Sequence, residues 1–141
     1  MVINIYGKVK VVKIFIMDKK SVKKIYINNI PIKCELCHKP EDIKNGMMYK
    51  TFNENFNGML FKLNDNHGCF WTKNCVIPLD IIFIDDNKIT KIHHNCEPCI
   101  NDPSYCNRYC GLGNYVLEVD GGFCLKNKIS EGNTINLDHH L

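Results

Sequence analysis

Leu79-Asp80-Ile81-Ile82-Phe83-Ile84-Asp85, then Asp86-Asn87, then Lys88-Ile89-Thr90-Lys91-Ile92-His93 is the stretch on which the reading of the fold turns. Asp and Asn tolerate tight-turn backbone, so Asp85-Asp86-Asn87 predicts a turn and its flanks predict an antiparallel pair of strands. Just upstream stands Phe70-Trp71-Thr72-Lys73-Asn74. Lys73, Asn74 and Asp80 thus fall among residues that must form a core. A buried polar or charged group costs free energy unless it is paired or hydrogen-bonded, so packing alone does not account for them. The block predicts a site or a fixed internal polar network.

Working outward, period-two patterning predicts strands over residues 2–6 and 9–16, with a hairpin turn at 18–21. Further strands are expected over 23–28, 31–37, 59–63, 69–73, 115–119 and 134–137. Pro40-Glu41-Asp42 has the proline-then-acid pattern of a first helical turn, continued by Ile43 and Met47 at i and i+4 and ending near Tyr49. A second short helix, capped by Asp120, is expected through Phe123, Leu125 and Ile129. The segment from His93 to Asn114 reads as a long loop, of a length that needs tying down. No internal repeat or low-complexity tract interrupts the chain. The fold class is mainly β: a compact sandwich or barrel-like single domain over 1–141, with two short helices and an N-terminal hairpin extension over about 1–24.

A chain of 141 residues that is 45% hydrophobic can bury a core without compulsory cross-links. Its net charge of +3 is mild, and the lysines before Lys50 alternate with Val and Ile as the wet face of strands would. Arg108 is the only arginine, so nucleic acid is not the expected partner. Lys8, Lys10 and Lys13 interrupt the apolar N-terminal run, which predicts neither a signal peptide nor a membrane span and hence a cytoplasmic location. Abundant Asn, Lys and Ile point to an AT-rich genome such as that of a virus, phage or small-genome microbe, with a virion as the second location.

The chain carries nine cysteines. Cys96, Cys99, Cys106 and Cys110 form a C-x2-C-x6-C-x3-C ladder, and four thiolates so spaced can close on one tetrahedral Zn²⁺, with His93 or His94 able to replace one. Zinc, disulfides and unlinked thiols stay open as readings of that loop. Cys69, Cys75 and Cys124 read as small core residues. Cys34-Glu35-Leu36-Cys37-His38 matches a haem-attachment pattern that goes with export, which the expected lack of an export signal disfavours. Cys34 and Cys37 should face opposite sides of a strand.

Four blocks, Gly46-Met47-Met48-Tyr49, Gly58-Met59-Leu60-Phe61, the run from Trp71 to Asp85, and Tyr115-Val116-Leu117-Glu118-Val119-Asp120-Gly121-Gly122-Phe123, resemble the domain of unknown function 192 family. The resemblance covers about residues 25–137. It implies a compact, mainly β sandwich or barrel, often exported, with no catalytic activity to carry over. Thr72 stands where members commonly have Met, and the run from Ile129 to Thr134 lacks their Gly-Asp pair.

The blocks place Trp71, Lys73, Asn74, Asp80, His93 and Glu118 near one concave face. As a binding site, Lys73 and Asn74 would hold an anionic or carbonyl group, Trp71 would stack on a ring or sugar, and Asp80 or Glu118 would fix a hydroxyl. As catalysts, Asp80 or Glu118 would work with His93. As structure alone, Lys73 would pair with Asp80 or Glu118. No nucleophile elbow, phosphate loop or H-E-x-x-H pattern accompanies them. The expected role is a non-catalytic binding or accessory module for a small molecule or protein. The alternatives are a small hydrolase-like enzyme using the same pocket and a structural component of a viral particle.

Overall fold

The computed structural model describes residues 2–3, 9–10 and 20–137. The strands expected over 2–6 and 9–16 lie mostly outside the described residues, as does much of the turn at 18–21. Val2–Ile3 (β1) and Val9–Lys10 (β2) pair antiparallel.

Nine more strands follow: β3 Val22–Ile27, β4 Ile30–Cys37, β5 Gly58–Lys62, β6 His67–Phe70, β7 Leu79–Asp85, β8 Lys88–Cys96, β9 Tyr109–Leu112, β10 Tyr115–Asp120 and β11 Ile135–Asn136. Helix α1 spans Pro40–Asn45 and α2 spans Phe123–Lys126, with a 3-10 turn at Pro103–Tyr105. Seven strands form one sheet in the order β11-β3-β4-β5-β10-β7-β8, antiparallel except for β4 against β5.

The β7–β8 hairpin turns through Asp86 and Asn87, both at positive φ (47° and 59°), and the β3–β4 hairpin through Asn28 and Asn29 at 49° and 65°. Such two-residue turns match strand twist, and Asn and Asp bear positive φ at least cost among side-chain residues. The sheet curls until its ends meet. Ile89 N donates to Asn133 O at 2.9 Å, Gly132 N to Ile89 O at 2.7 Å and Ile135 N to Asn87 O at 2.8 Å. Bonding the last strand to the segment before β11 removes most of the open edge.

Alternation along the strands divides the core in two. Ile25, Ile32, Leu60, Ile82 and Leu117 meet inside the curl. Met59, Phe61, Ile81, Phe83 and Val116 lie on the other face with Phe70 and Tyr109 against them. Strand β7 is therefore buried on both sides, which is why it reads as a nearly unbroken apolar run. The ribbon of β6 and β9 covers the second core. Gly111 permits that approach, since a Cβ there would stand 2.4 Å from the Phe83 ring.

Four expectations need correction. The strand placed at 69–73 is His67–Phe70, and residues 71–76 leave the sheet to form turns. The loop from His93 to Asn114 contains the end of β8, a 3-10 turn and all of β9, whose short mixed pattern gave no period-two signal. Asp120 does not cap α2. Gly122 stands at its N-cap, and the carboxylate that meets the first turn comes from Asp80, far away in sequence. Helix α1 also stops early, at Gly46 with φ 45°, which a side-chain residue would bear with strain.

Candidate functional site

On β10, Glu118 pairs with Met59 of β5 and Ile81 of β7, so its side chain leaves the sheet between apolar neighbours. It is 3% exposed, and its Oε2 has no hydrogen-bond partner among the described residues. Loss of solvent pushes the carboxyl up to about 8, which leaves it mainly protonated at neutral pH.

Above it opens a cavity of about 210 Å³. Met47, Phe61, Phe70, Trp71 and Cys75 line it with Glu118, while Lys44 and Asn45 contribute exposed polar groups at its mouth. Backbone bonds hold these segments together. Tyr49 N donates to Asn74 O at 2.9 Å, Cys75 N to Thr72 O at 3.1 Å and Cys99 N to Thr72 O at 3.0 Å, and Met48 bridges to Cys75. Buried Thr72 adds a bond from Oγ1 to Glu97 O at 2.6 Å. Phe61 and Phe70 meet edge to face at 5.0 Å, and Phe70 meets Phe83 at 6.1 Å, which fixes the aromatic wall.

Of the six residues expected on one face, the structure brings Trp71 and Glu118 to this cavity. The Arg108 guanidinium lies 4.2 Å from the Trp71 ring centroid and occupies one of its faces. Lys73 Nζ donates to Asn101 O instead of reaching an acid. Asn74 serves through its backbone, at φ 59° with its N–H on Cys99 O. Asp80 projects to the opposite side of the sheet. Its Oδ1 accepts from Asn95 N at 2.8 Å and Gly122 N at 3.0 Å, and its Oδ2 from Cys124 N at 2.9 Å. His93, on β8, pairs with Ile81, the cross-strand neighbour of Glu118, with its Nε2 2.8 Å from Cys110 O and its ring between Phe83 and Tyr109.

The cysteine ladder is divided. Cys99 joins Cys106, Cys110 joins Cys69 from β6, and Cys96 is a buried thiol pushed up to about 12 by desolvation. Sulfurs in a disulfide offer no thiolate to a metal. Among the described residues no group of three or more His, Cys, Asp or Glu side chains converges as metal ligands would. Cys69, read from sequence as a core residue, is thus a cross-linking one. Cys34 and Cys37 do face opposite cores.

Met47, Phe61, Phe70 and Cys75 escaped the sequence reading as site residues. Apolar walls carry no distinctive chemistry, and although Met47, Phe61 and Cys75 fall within blocks of the family resemblance, nothing in those blocks marks them as lining a site.

A curled β domain with a buried acid set in an apolar, aromatic-walled cavity is the class that fold and site define. The chain belongs to the DUF192 family, described as "Uncharacterized ACR", whose model matches residues 23–137. A Novosphingobium aromaticivorans DSM 12444 protein of unknown function is similar in structure, with a TM-score of 0.71 at 26% identity over 82% of this chain and 85% of that one. A candidate transcription regulator of Sinorhizobium meliloti 1021 shares the fold, with a TM-score of 0.69 at 24% identity over 84% of this chain and 95% of that one. No curated protein matches the sequence. No helix among the described residues is long and apolar enough to cross a membrane.

Proposed function

We propose that this domain is a non-catalytic binding module whose pocket takes a small, mainly apolar molecule against Glu118. The observation that carries the reading is Glu118 Oε2, buried without a partner in the lining of an open cavity. Buried polar atoms are nearly always satisfied, and one left unsatisfied costs about 1–3 kcal/mol that a bound partner can recover. The volume suits a ring with a short substituent, since an apolar cavity of about 150 Å³ accommodates benzene.

The acid/base pairing that an enzyme would need is not favoured by the same geometry. His93 and Asp80 make their hydrogen bonds elsewhere and neither lines the cavity. A hydrolase would instead use the neutral Glu118 as a proton donor, and ester or amide turnover abolished by Glu118→Gln would establish that in place of a binding module. Zinc belongs to the reduced chain, in which Cys96, Cys99, Cys106 and Cys110 are all thiols. The mass of protein purified without chelator separates a zinc adduct from the loss of two hydrogens at each bridge.

The test of the binding reading is a fragment screen followed by methionine-methyl NMR. Fragments that bind should move the Met47 and Met48 methyls and lose affinity in Glu118→Leu. A screen in which no fragment moves those methyls overturns it.

A further inference from the structure

The polar inventory of the cavity narrows what could fill it. Met47, Phe61, Phe70 and Cys75 supply apolar surface, and Glu118 is the one carboxyl among the lining residues. We infer that the pocket selects a small aryl or branched-alkyl carbonyl compound, whose oxygen accepts the proton of Glu118 as its polar anchor, and that it releases this class of ligand at alkaline pH. The inference rests on the binding-module reading above and adds the ligand's chemistry and its coupling to a proton.

The groups facing Glu118 decide between an accepting ligand and a cationic one. Its cross-strand neighbours, Met59 on β5 and Ile81 on β7, are apolar. The thiols that feel its charge are Cys75, from the loop after β6, and Cys96, at the end of β8, and burial pushes both up to about 12, so they stay neutral. Cys69 is held in its disulfide with Cys110 and does not titrate. Lys44 of α1 is exposed at the mouth. Asp80 lies next to Ile81 along β7 but turns to the other side of the sheet, where its oxygens are bonded.

Nothing among these groups stabilises a Glu118 carboxylate from within, so the residues of the pocket keep the acid neutral. A neutral carboxyl has one O–H to donate. A carbonyl oxygen completes it without moving charge. An amine would have to draw Glu118 into a desolvated ion pair, which demands further hydrogen bonds, and would meet the like charge of Lys44 on the way in. The aromatic cage that recognises cations is also incomplete, because Arg108 already covers Trp71.

The test titrates acetophenone, ethylbenzene and benzylamine into protein with labelled methionine methyls, at pH values from about 6 to about 9.5, in the native chain and in Glu118→Gln. Three results are expected. Acetophenone moves the Met47 and Met48 methyls and binds about tenfold more tightly than ethylbenzene, the usual worth of a buried hydrogen bond. Its affinity is flat at the acid end and falls towards tenfold per pH unit once Glu118 ionises. Glu118→Gln, which keeps an N–H donor but cannot titrate, retains binding and loses that pH dependence.

Ethylbenzene binding as tightly as acetophenone, benzylamine binding best, or a pH dependence that survives Glu118→Gln would each overturn this inference while leaving a binding pocket. Silence of both methyls towards all three compounds would overturn the pocket reading with it.

Discussion

Asp80 and Glu118 are buried acids on neighbouring strands, and the two faces of the sheet treat them in opposite ways. Asp80, 0% exposed, receives three backbone N–H groups and stitches β8, the Gly122 turn and α2 to β7. Glu118, 3% exposed, has an oxygen that receives none and lies against a cavity. Burial is thus shared and does not distinguish a structural acid from a site acid. What distinguishes them is where each oxygen finds its donors. Matched donors fix a carboxylate as scaffold, whereas their absence pushes a carboxyl towards its neutral form and leaves a bond for something else to make.

The contrast breaks first at Asp80. Asp80→Ala removes three hydrogen bonds to a carboxylate and bares the start of α2, so urea unfolding should show a loss of about 5 kcal/mol, with Asp80→Asn recovering part of it. A loss below about 1 kcal/mol would mean the three bonds do not hold the fold.

Next in size is the wall of the Glu118 cavity. Cys69–Cys110 closes a separation of 41 residues, and removing it with paired serines should cost about 4 kcal/mol in thermal unfolding. Cys99–Cys106 spans 7 residues and should cost nearer 2 kcal/mol.

Third comes pH. The unfolded chain releases the Glu118 proton near 4.5 while the folded chain keeps it to about 8, so the folded state binds more protons between those values. Stability should fall as pH rises through that window and level off above it. The span corresponds to roughly 5 kcal/mol, of which an unpaired Gln amide gives back about half, so Glu118→Gln should gain about 2–3 kcal/mol at pH 8 and flatten the profile. An unchanged profile would place Glu118 in a wetter setting than its burial indicates.

The smallest effect is at the rim. Arg108→Ala should cost about 0.5–1 kcal/mol and shift the emission of Trp71, the chain's single tryptophan, without moving the pH profile.

The strands were legible where a short apolar run stands between turn formers. Leu79–Asp85 matches its expected bounds, and Asp86-Asn87 makes the turn assigned to it. Strand β9 was not legible, because Tyr109-Cys110-Gly111-Leu112 pairs with β6 across some forty residues and is defined by that partner and by contacts with Phe83 and His93 from other strands. Asp80 stood out as an acid in an apolar run, and Glu118 as a candidate site residue within a family block. Their roles did not, since a one-residue offset in cross-strand register sends them to opposite faces: Asp80 pairs with Val119, and Glu118 with Ile81. Lys73 likewise looked like a partner for an acid, yet a carbonyl at Asn101 reaches it first.

By itself the sequence determined that this chain is a mainly β domain, where its β7–β8 hairpin turns, and that polar groups including Asp80 must sit in its core, because turn chemistry and apolar patterning are local properties of the chain. Only the tertiary structure decided that Asp80 is clamped by the α2 terminus, that Glu118 is left against Phe61, Phe70 and Trp71, and that the cysteine ladder is shared with Cys69. Those outcomes depend on register and on contacts between segments forty residues apart, and no local pattern encodes which donors arrive at a given oxygen.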